Sequence, residues 1–374
     1  MSRPSYEDGT AILFSELESR VTGVVACICS VLGVVGNLVT IGALLNSKKL
    51  RSHPTTLFLI SLALSDLIFG GYNLPLTAHR FFHRGCEFMC LDYHVCRYFP
   101  FFFYGNLGVS IYIMSIIAIY RVFGVFNGHV LNTVFNTRTV PLMILGVWIL
   151  VFGTLTLPLT EHWGQFGFES QTFSCTIVES EGETFMPAMT ILGIVLPCCF
   201  ISISYISIYW RVRFTGNATR KASRYGHEEE DQNNFDYHKH IKERERELTR
   251  TLLYIFLGFV ICFLPFCILT VADPMPPSKN SVLHLLSYIL TWTSCFINPF
   301  IYCVTNKYYY EAYKNMFVDL LRLCSVPGSR VQPVTNTTGV SNQSSTLKEQ
   351  DLVELENLFN RRRNSSEIIE TTRL

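Results

Sequence analysis

The stretch SCFINPFIY, residues 294–302, decides the fold of this chain. It belongs to an apolar run, 281–304, and places Asn298 and Pro299 in the middle of that run. A proline removes a backbone donor and breaks a helix in water, but in a packed transmembrane bundle neighbouring groups satisfy the freed carbonyls. Asn298, Pro299 and Tyr302 therefore indicate a membrane helix with a weak point at which it can re-bend. The alternative is an ordinary proline kink.

Six more apolar runs precede this one, and each is long enough to cross a hydrocarbon core of ~30 Å as a helix. Charged residues make up only 16% of the chain, against about 25% in soluble domains. The net charge of +1 gives no support to nucleic-acid binding. The sequence predicts an all-α membrane protein, a seven-transmembrane helix bundle. Its spans, numbered one to seven, are 21–46, 55–78, 94–124, 139–158, 185–212, 248–272 and 281–304.

The connections orient the bundle, because Lys and Arg concentrate on the cytoplasmic side of membrane proteins. Basic residues are frequent in the first and fifth connections and after span seven, so these segments are expected in the cytosol. We therefore expect a multi-pass plasma-membrane protein with an extracellular N-terminus, 1–20, and a bundle at 21–304. The amphipathic pattern of 305–324 predicts an eighth helix on the membrane surface. The polar segment 325–374 is predicted to be a disordered cytoplasmic tail.

Asp66 lies in the middle of span two, in the stretch LISLALSDLIF. A carboxylate inside the membrane costs about 2.5–3.5 kcal/mol on insertion scales, and such residues usually face the bundle interior and serve function. The functional interpretation is an ion or proton site; the alternative is a structural carboxylate tied to neighbouring polar groups. A hydrated polar core that binds sodium would consist of Asp66, Asn37, Asn106, Ser110, Ser294 and Asn298.

Arg121 ends span three, and Glu245 lies near the start of span six. A pair between these side chains would latch two helix ends and break when span six moves, which is how a two-state element acts as a switch. The alternative is an arginine that extends to the membrane interface. Pro265 predicts a kink in span six, and a kinked helix is a natural lever arm.

Two cysteines on the predicted outer side are candidates for a disulfide. Cys96 opens span three, and Cys175 lies in the middle of the acidic connection between spans four and five. A disulfide is stable outside the cell, and this one would pin the connection over the mouth of the bundle. Cys86 and Cys90 also lie outside; they could pair with each other or stay free.

These residues together resemble the rhodopsin-like family of G-protein-coupled receptors, over roughly residues 20–324. Each span contains a candidate for the family's marker residue: Gly36, Asn37, Leu62, Ala63, Asp66, Arg121, Trp148, Pro197, Tyr205, Phe259, Cys262, Pro265, Asn298, Pro299 and Tyr302. There are departures. The family's acidic-Arg-Tyr triplet reads Tyr120-Arg121-Val122, and the missing acid puts the resting restraint on Arg121 in doubt. The usual tryptophan toggle is Phe263, and span seven has no lysine, which excludes a retinal-binding opsin.

The resemblance implies a receptor that is not an enzyme and that activates a heterotrimeric G protein by outward movement of span six. It also implies a docking wall at Arg121 and Tyr205, with arrestin and a receptor kinase as further partners. Within the family the sequence looks most like the insect orphan receptors of the Moody and Trapped-in-endoderm group, which implies a role in epithelial barrier formation or cell migration. The alternative is a transporter or channel, which predicts two related halves; the sequence has none.

The outer half of the bundle is aromatic and apolar, which favours an apolar or amphiphilic ligand. Basic residues nearby offer charge-assisted bonds to an acid group, so an acidic lipid is the expected ligand. The alternative is that each aromatic residue belongs to the core or faces lipid. The expected pocket consists of Arg80, Arg97, Phe102, Phe103, Tyr104, Met189, Phe263, Phe266, His284, Tyr288 and Trp292. No cofactor is expected besides a sodium ion at Asp66.

Two features of the C-terminal region suggest further attachment. Cys324 ends the predicted surface helix and is a candidate for palmitoylation. The chain ends in Thr372, Arg373 and Leu374, which fits a carboxyl-terminal ligand for a PDZ-domain protein, with Thr372 and Leu374 as its specificity residues. Serine and threonine residues of the tail suit phosphorylation; the alternative is a solvated linker.

Overall fold

A computed structural model describes residues 15–48, 50–51, 53–83, 93–136, 138–169, 174–178, 184–222, 232–272 and 281–324. For 212–222, 232–246, 270–272, 320–324 and the single residues Tyr93, Asn132, Glu169, Ser174 and Ser281 the description covers the backbone alone. The described residues up to Leu323 belong to one compact unit. The expectations for Cys86, Cys90, the tail, Thr372 and Leu374 lie outside the described residues, as does the side chain of Cys324.

The structure is helical at every predicted span. Span one is α1 (Glu16–Asn46), span three is α4 (Tyr93–Phe126), span four is α6 (Thr139–Leu159), span six is α9 (Gln232–Ala272) and span seven is α10 (Ser281–Thr305). Span two consists of α2 (Pro54–Ile68), a π-helical turn (Phe69–Asn73) and α3 (Leu74–His83). Span five consists of α7 (Phe185–Thr190), a π-helical turn (Ile191–Val195) and α8 (Leu196–Ala222). The amphipathic segment forms α11 (Lys307–Cys324).

The surface of the bundle is apolar, as expected of helices that face lipid. Large aliphatic side chains of spans one, four and five point outward, among them Val31, Leu142 and Ile203. Six described helical segments are long and apolar enough to cross a membrane, and they correspond to spans one to six. The seventh is more polar because α10 turns His284, Ser287, Thr291 and Ser294 into the bundle, where all four are buried.

Three short elements were not predicted from the sequence. Strands β1 (Gln165–Glu169) and β2 (Ser174–Val178) pair antiparallel in the connection between spans four and five, with Phe168 opposite Cys175. The hairpin packs on α4, and Phe166 and Ile177 are buried. On the opposite side of the bundle α5 (Gly128–Val134) follows span three, and the Asn127 side chain accepts a hydrogen bond from the amide of Val130 at 3.2 Å.

The surface helix α11 is held against span one. Asn306 separates it from span seven, and its side-chain oxygen accepts the amide hydrogens of Tyr308 and Tyr309, a typical N-cap arrangement. Tyr309 and Tyr313 are buried. The hydroxyls of Tyr313 and Thr40 lie 2.6 Å apart in a hydrogen bond between α11 and α1. The helix is thus fixed at both its start and its middle.

Candidate functional site

A cavity of about 100 Å³ opens in the outer half of the bundle, between spans two, three, six and seven and the hairpin. Aromatic side chains in contact with one another form much of its wall. Measured between ring centroids, Phe103 packs edge-on against Phe266 at 6.3 Å, Phe266 lies 5.9 Å from Tyr288, and Tyr288 stacks on Trp292 at 6.5 Å. It is lined by Phe69, Thr77, Arg80, Phe81, Phe99, Phe103, Tyr104, Cys175, Thr176, Phe266, Tyr288, Thr291 and Trp292.

The hairpin closes this cavity on the outside. A disulfide joins Cys96 of α4 to Cys175 of β2, as predicted. One residue further on, the hydroxyl of Thr176 lies 2.8 Å from that of Tyr104. The loop is therefore attached to span three by a covalent bond and a hydrogen bond, and Cys175 itself forms part of the cavity wall.

Arg80 is the charged residue among those that line the cavity. Its guanidinium carbon lies 5.6 Å from the centre of the Phe81 ring. Among the described residues no carboxylate forms an ion pair with it. A guanidinium in an aromatic cavity is costly without a counter-ion, so this geometry is suited to an anionic ligand.

Five of the expected pocket residues do not line this cavity. Arg97 turns away because its Nε donates to the carbonyl of Leu159 at 3.0 Å and its Nη1 lies 3.8 Å from Glu161, which ties span three to the end of span four. Phe102 packs on Tyr72 at 4.8 Å instead.

The other three lie elsewhere in the bundle. His284 is buried in α10, and Met189 packs against the main core. Phe263 lies deeper, in the wall of a second cavity.

That second, inner cavity surrounds Asp66, which is only 4% exposed. Asn298 donates to one carboxylate oxygen at 2.9 Å, and Asn106 to the other at 3.4 Å. Ser110 and Ser294 line the same space, together with Phe259 and Phe263, whose rings lie 4.5 Å apart. Asn37 is not part of it: its amide donates to the carbonyls of Gly33 and Cys295, at 2.8 and 2.6 Å, and so joins span one to span seven.

The inner cavity measures about 10 Å³, close to the ~10–15 Å³ that one water molecule needs. The oxygen atoms that could bind an ion here are those of the Asp66 carboxylate and of the Ser110 and Ser294 hydroxyls. Hard cations prefer such oxygen ligands. The described residues contain no group of three or more His, Cys, Asp and Glu side chains suited to a metal ion. The oxygen atoms of Asp66, Ser110 and Ser294 are of the kind that a small hard cation such as sodium prefers.

At the inner end of the bundle Arg121 is buried, with 3% of its surface exposed. Its Nη2 donates to the hydroxyl of Thr55 at 3.4 Å, and its guanidinium carbon lies 5.1 Å from the centre of the Tyr120 ring. Tyr205 stacks on Phe256 at 6.2 Å, and so contacts span six. The side chain of Glu245 lies outside the described part of the chain, so the expected latch with Arg121 stays a prediction.

Tyr302 and the two prolines lie where the motifs place them. Pro265 and Pro299 are inside α9 and α10. Tyr302 is 1% exposed, and its ring lies 5.7 Å from that of Tyr309 in the surface helix. In span four the indole of Trp148 donates to the hydroxyl of Ser61 at 2.9 Å, which joins spans two and four.

Comparison with known proteins agrees with this architecture. The family model for the 7 transmembrane receptor (rhodopsin family) matches residues 36–302. The chain is 35% identical to Protein trapped in endoderm-1 of Drosophila melanogaster, over 79% of this chain and 76% of that protein. It is 28% identical to the G-protein coupled receptor moody of Drosophila melanogaster, over 91% of this chain but only 56% of the length of that relative. It is also 26% identical to human Melatonin receptor type 1B, over 79% of this chain and 78% of that receptor.

A solved structure, that of squid rhodopsin, shares the fold with a TM-score of 0.70 and 22% identity, over 87% of this chain and 92% of that one. The family match confirms the receptor interpretation over the transporter or channel alternative. Proteins of this family are embedded in membranes, signal through heterotrimeric G proteins and are not enzymes. The chain belongs to the rhodopsin family of seven-transmembrane, G-protein-coupled receptors, within the group of Moody and Protein trapped in endoderm-1.

Proposed function

We propose that this receptor binds an acidic lipid or another anionic amphiphile in the outer cavity, with Arg80 paired to the acid group. The observation that carries the proposal is Arg80, a guanidinium in an aromatic cavity with no carboxylate partner among the described residues. An apolar tail would lie among Phe103, Phe266 and Trp292. Such a ligand satisfies the charge and the apolar wall together.

Binding would be transmitted through span six. Phe266 lines the outer cavity and Phe263 the inner one, and Pro265 lies between them. Since proline removes a backbone hydrogen bond, this is the point at which span six bends most easily. A ligand that binds the active state, in which the inner end of span six has moved outward, more tightly than the resting state shifts the population toward the active state. Outward movement of span six then exposes Arg121 and Tyr205 to the G protein.

The test compares two outer arginines in purified receptor, with nucleotide exchange on a panel of G proteins as the readout. The probes are oleate, a lysophosphatidate, neutral monoolein and melatonin, the last because of the similarity to melatonin receptors. A bond to a charged group contributes about 1.5–3 kcal/mol, so Arg80→Gln is expected to weaken an active acidic probe by roughly 10- to 150-fold.

Arg97→Gln is the matched control, because Arg97 ties spans three and four together outside the cavity. It is expected to leave the potency of the acidic probe unchanged. Equal activation by monoolein and oleate, or equal loss of potency in both variants, would contradict the assignment of Arg80.

We also propose that a sodium ion at Asp66 stabilises the resting state. The oxygen atoms around the inner cavity support it. Asp66, Ser110 and Ser294 would hold the ion, and its positive charge would offset the buried carboxylate.

The remaining proposals concern the cellular setting. The distribution of Lys and Arg supports a plasma-membrane receptor with its N-terminus outside and Arg121 toward the cytosol. Receptor kinase and arrestin are proposed partners of the cytosolic side. From the resemblance to the Moody and Trapped-in-endoderm group, a role in cell migration or epithelial barrier formation is proposed. Topology is tested by protease protection: cleavage of both terminal segments from the same side would contradict it.

A further inference from the structure

Three polar contacts connect the inner end of span six to the junction of span seven and the surface helix. We propose that they form a clasp that holds this receptor in its resting state. The clasp consists of Glu247, Arg250 and Thr251 on span six, and of Thr305 and Lys307 at the junction. The inference rests on the proposed movement of span six, and it adds the residues that oppose this movement.

The centre of the clasp is a hydroxyl pair. Thr251 is fully buried, with 0% exposure. Its hydroxyl donates to the carbonyl of Glu247 at 2.9 Å and lies 2.9 Å from the hydroxyl of Thr305. The single hydrogen of the Thr305 hydroxyl is shared between Thr251 and the carbonyl of Ile301 at 2.6 Å. The bond to Glu247 already satisfies the Thr251 hydroxyl hydrogen within its own helix, so the contact with Thr305 is an additional one between two helices. Here the two hydroxyls meet across the interface between spans six and seven.

Two charged contacts flank the hydroxyl pair. Arg250 donates from Nη2 to the carbonyl of Thr305 at 3.3 Å. Thr305 is the last residue of α10, and the final carbonyls of a helix have no partner inside it; a cation also suits the negative end of the helix dipole. Lys307 Nζ lies 3.4 Å from a carboxylate oxygen of Glu247.

The spacing explains why one face of span six makes all these contacts. Residues three and four positions apart lie next to each other on a helix, and 247, 250 and 251 follow this rule. The sequence alone did not reveal the pattern, because threonine in an apolar run usually bonds only to its own helix. Thr293 is an example, since its hydroxyl bonds to the carbonyl of Ile289 at 2.8 Å.

The clasp would restrain span six at residues other than Arg121. Tyr120 stands before Arg121 where the resemblance implies an acid, and Arg121 contacts the Tyr120 ring and Thr55. An outward movement of span six separates its inner end from span seven, so all three clasp contacts exist only in the resting state. Any change that removes one of them therefore shifts the population toward the active state.

The first test measures basal nucleotide exchange by the full-length receptor without ligand. Thr251→Val and Thr305→Val keep the side-chain volume and remove one hydroxyl each. Hydrogen bonds between membrane helices average about 0.6 kcal/mol, so each variant should raise basal exchange about threefold. The double variant should not exceed this, because both changes remove the same bond. Thr293→Val is the matched control and should leave exchange unchanged.

The second test shifts the receptor toward its resting state by crosslinking spans six and seven. Cysteines introduced by Thr251→Cys and Thr305→Cys together should form a disulfide under mild oxidation, since the hydroxyls they replace are 2.9 Å apart. The crosslinked receptor should lose basal exchange, whereas each single-cysteine variant under the same oxidant should keep it. Crosslinking should also be slower when the receptor is bound to a nucleotide-free G protein.

Each outcome decides the proposal. Efficient crosslinking with unchanged basal exchange would overturn the clasp and leave receptor coupling intact. Equal crosslinking rates with and without bound G protein would show that these residues do not separate, and would overturn both the clasp and the movement of span six. Valine variants that match Thr293→Val would show that the hydroxyl pair restrains nothing.

Discussion

Replacing Asp66 by asparagine separates the stability of the bundle from its response to sodium. The carboxylate receives amide hydrogens from Asn298 at 2.9 Å and from Asn106 at 3.4 Å. An asparagine has one acceptor oxygen, so one of these bonds is lost. Bonds between membrane helices average ~0.6 kcal/mol and reach ~1.7, whereas an intramembrane carboxylate costs ~2.5–3.5 kcal/mol. The cost of the carboxylate exceeds the energy of the lost hydrogen bond. Without sodium the Asp66→Asn variant should therefore be at least as stable as the native receptor.

In sodium, the native receptor should become more stable than the Asp66→Asn variant. When free sodium is tenfold above its dissociation constant, binding to the folded state alone stabilises the native receptor by about 1.4 kcal/mol. The variant has no anionic ligand and should gain nothing. The assay is thermal unfolding of purified receptor in sodium chloride, with choline chloride at equal ionic strength as the control. Equal sodium stabilisation of both proteins would refute the assignment of the ion to Asp66, and no stabilisation of either would refute the sodium site.

Two further predictions concern packing. A Cβ on Gly105 would lie 2.5 Å from two ring carbons of Phe152, so Gly105→Ala should cost about 1–3 kcal/mol in thermal unfolding. Gly153→Ala, where nothing lies within 4 Å of the added carbon, should be neutral; equal effects would contradict the close approach of spans three and four. Tyr313→Phe removes the bond to Thr40, and burial raises the pKa of this phenol, so the lost group is neutral. It should cost about 0.5–1.5 kcal/mol and speed hydrogen exchange in α11; unchanged exchange would show that the bond does not hold this helix.

The helical architecture followed from the sequence because a bilayer requires long apolar helices whatever their partners. The surface helix was visible in the same way, through the spacing of Tyr309, Tyr313 and Phe317. The disulfide between Cys96 and Cys175 was predictable because Cys96 is at the outer end of span three and Cys175 is in the connection on the same side of the membrane.

The rotation of each span could not be predicted. Residues 99–104 are nearly all aromatic, so the sequence contains no periodicity to show that Phe103 faces the cavity while Phe102 contacts Tyr72. Arg97 was expected at the ligand because it is basic and outside. Its carbonyl partner, Leu159, is 62 positions away and carries no sequence signal.

The missed elements had weaker signals. The hairpin does show the alternation of inward side chains that strands require, at Phe166, Phe168, Cys175 and Ile177. Each strand has only five residues, so this pattern is a much weaker signal than the long apolar runs of the helices. The clasp depends on contacts between distant residues, and a single sequence does not show which threonines meet.

The inner end of span six is expected to move away from the bundle when the receptor activates its G protein. The most direct measurement is the distance between spin labels at Thr249 on span six and Lys48 in the first connection, introduced as unnatural amino acids to avoid the native cysteines. In lipid nanodiscs, the free receptor should give one short distance, and its complex with a nucleotide-free G protein should give a longer one. Identical distance distributions in the two samples would contradict the account.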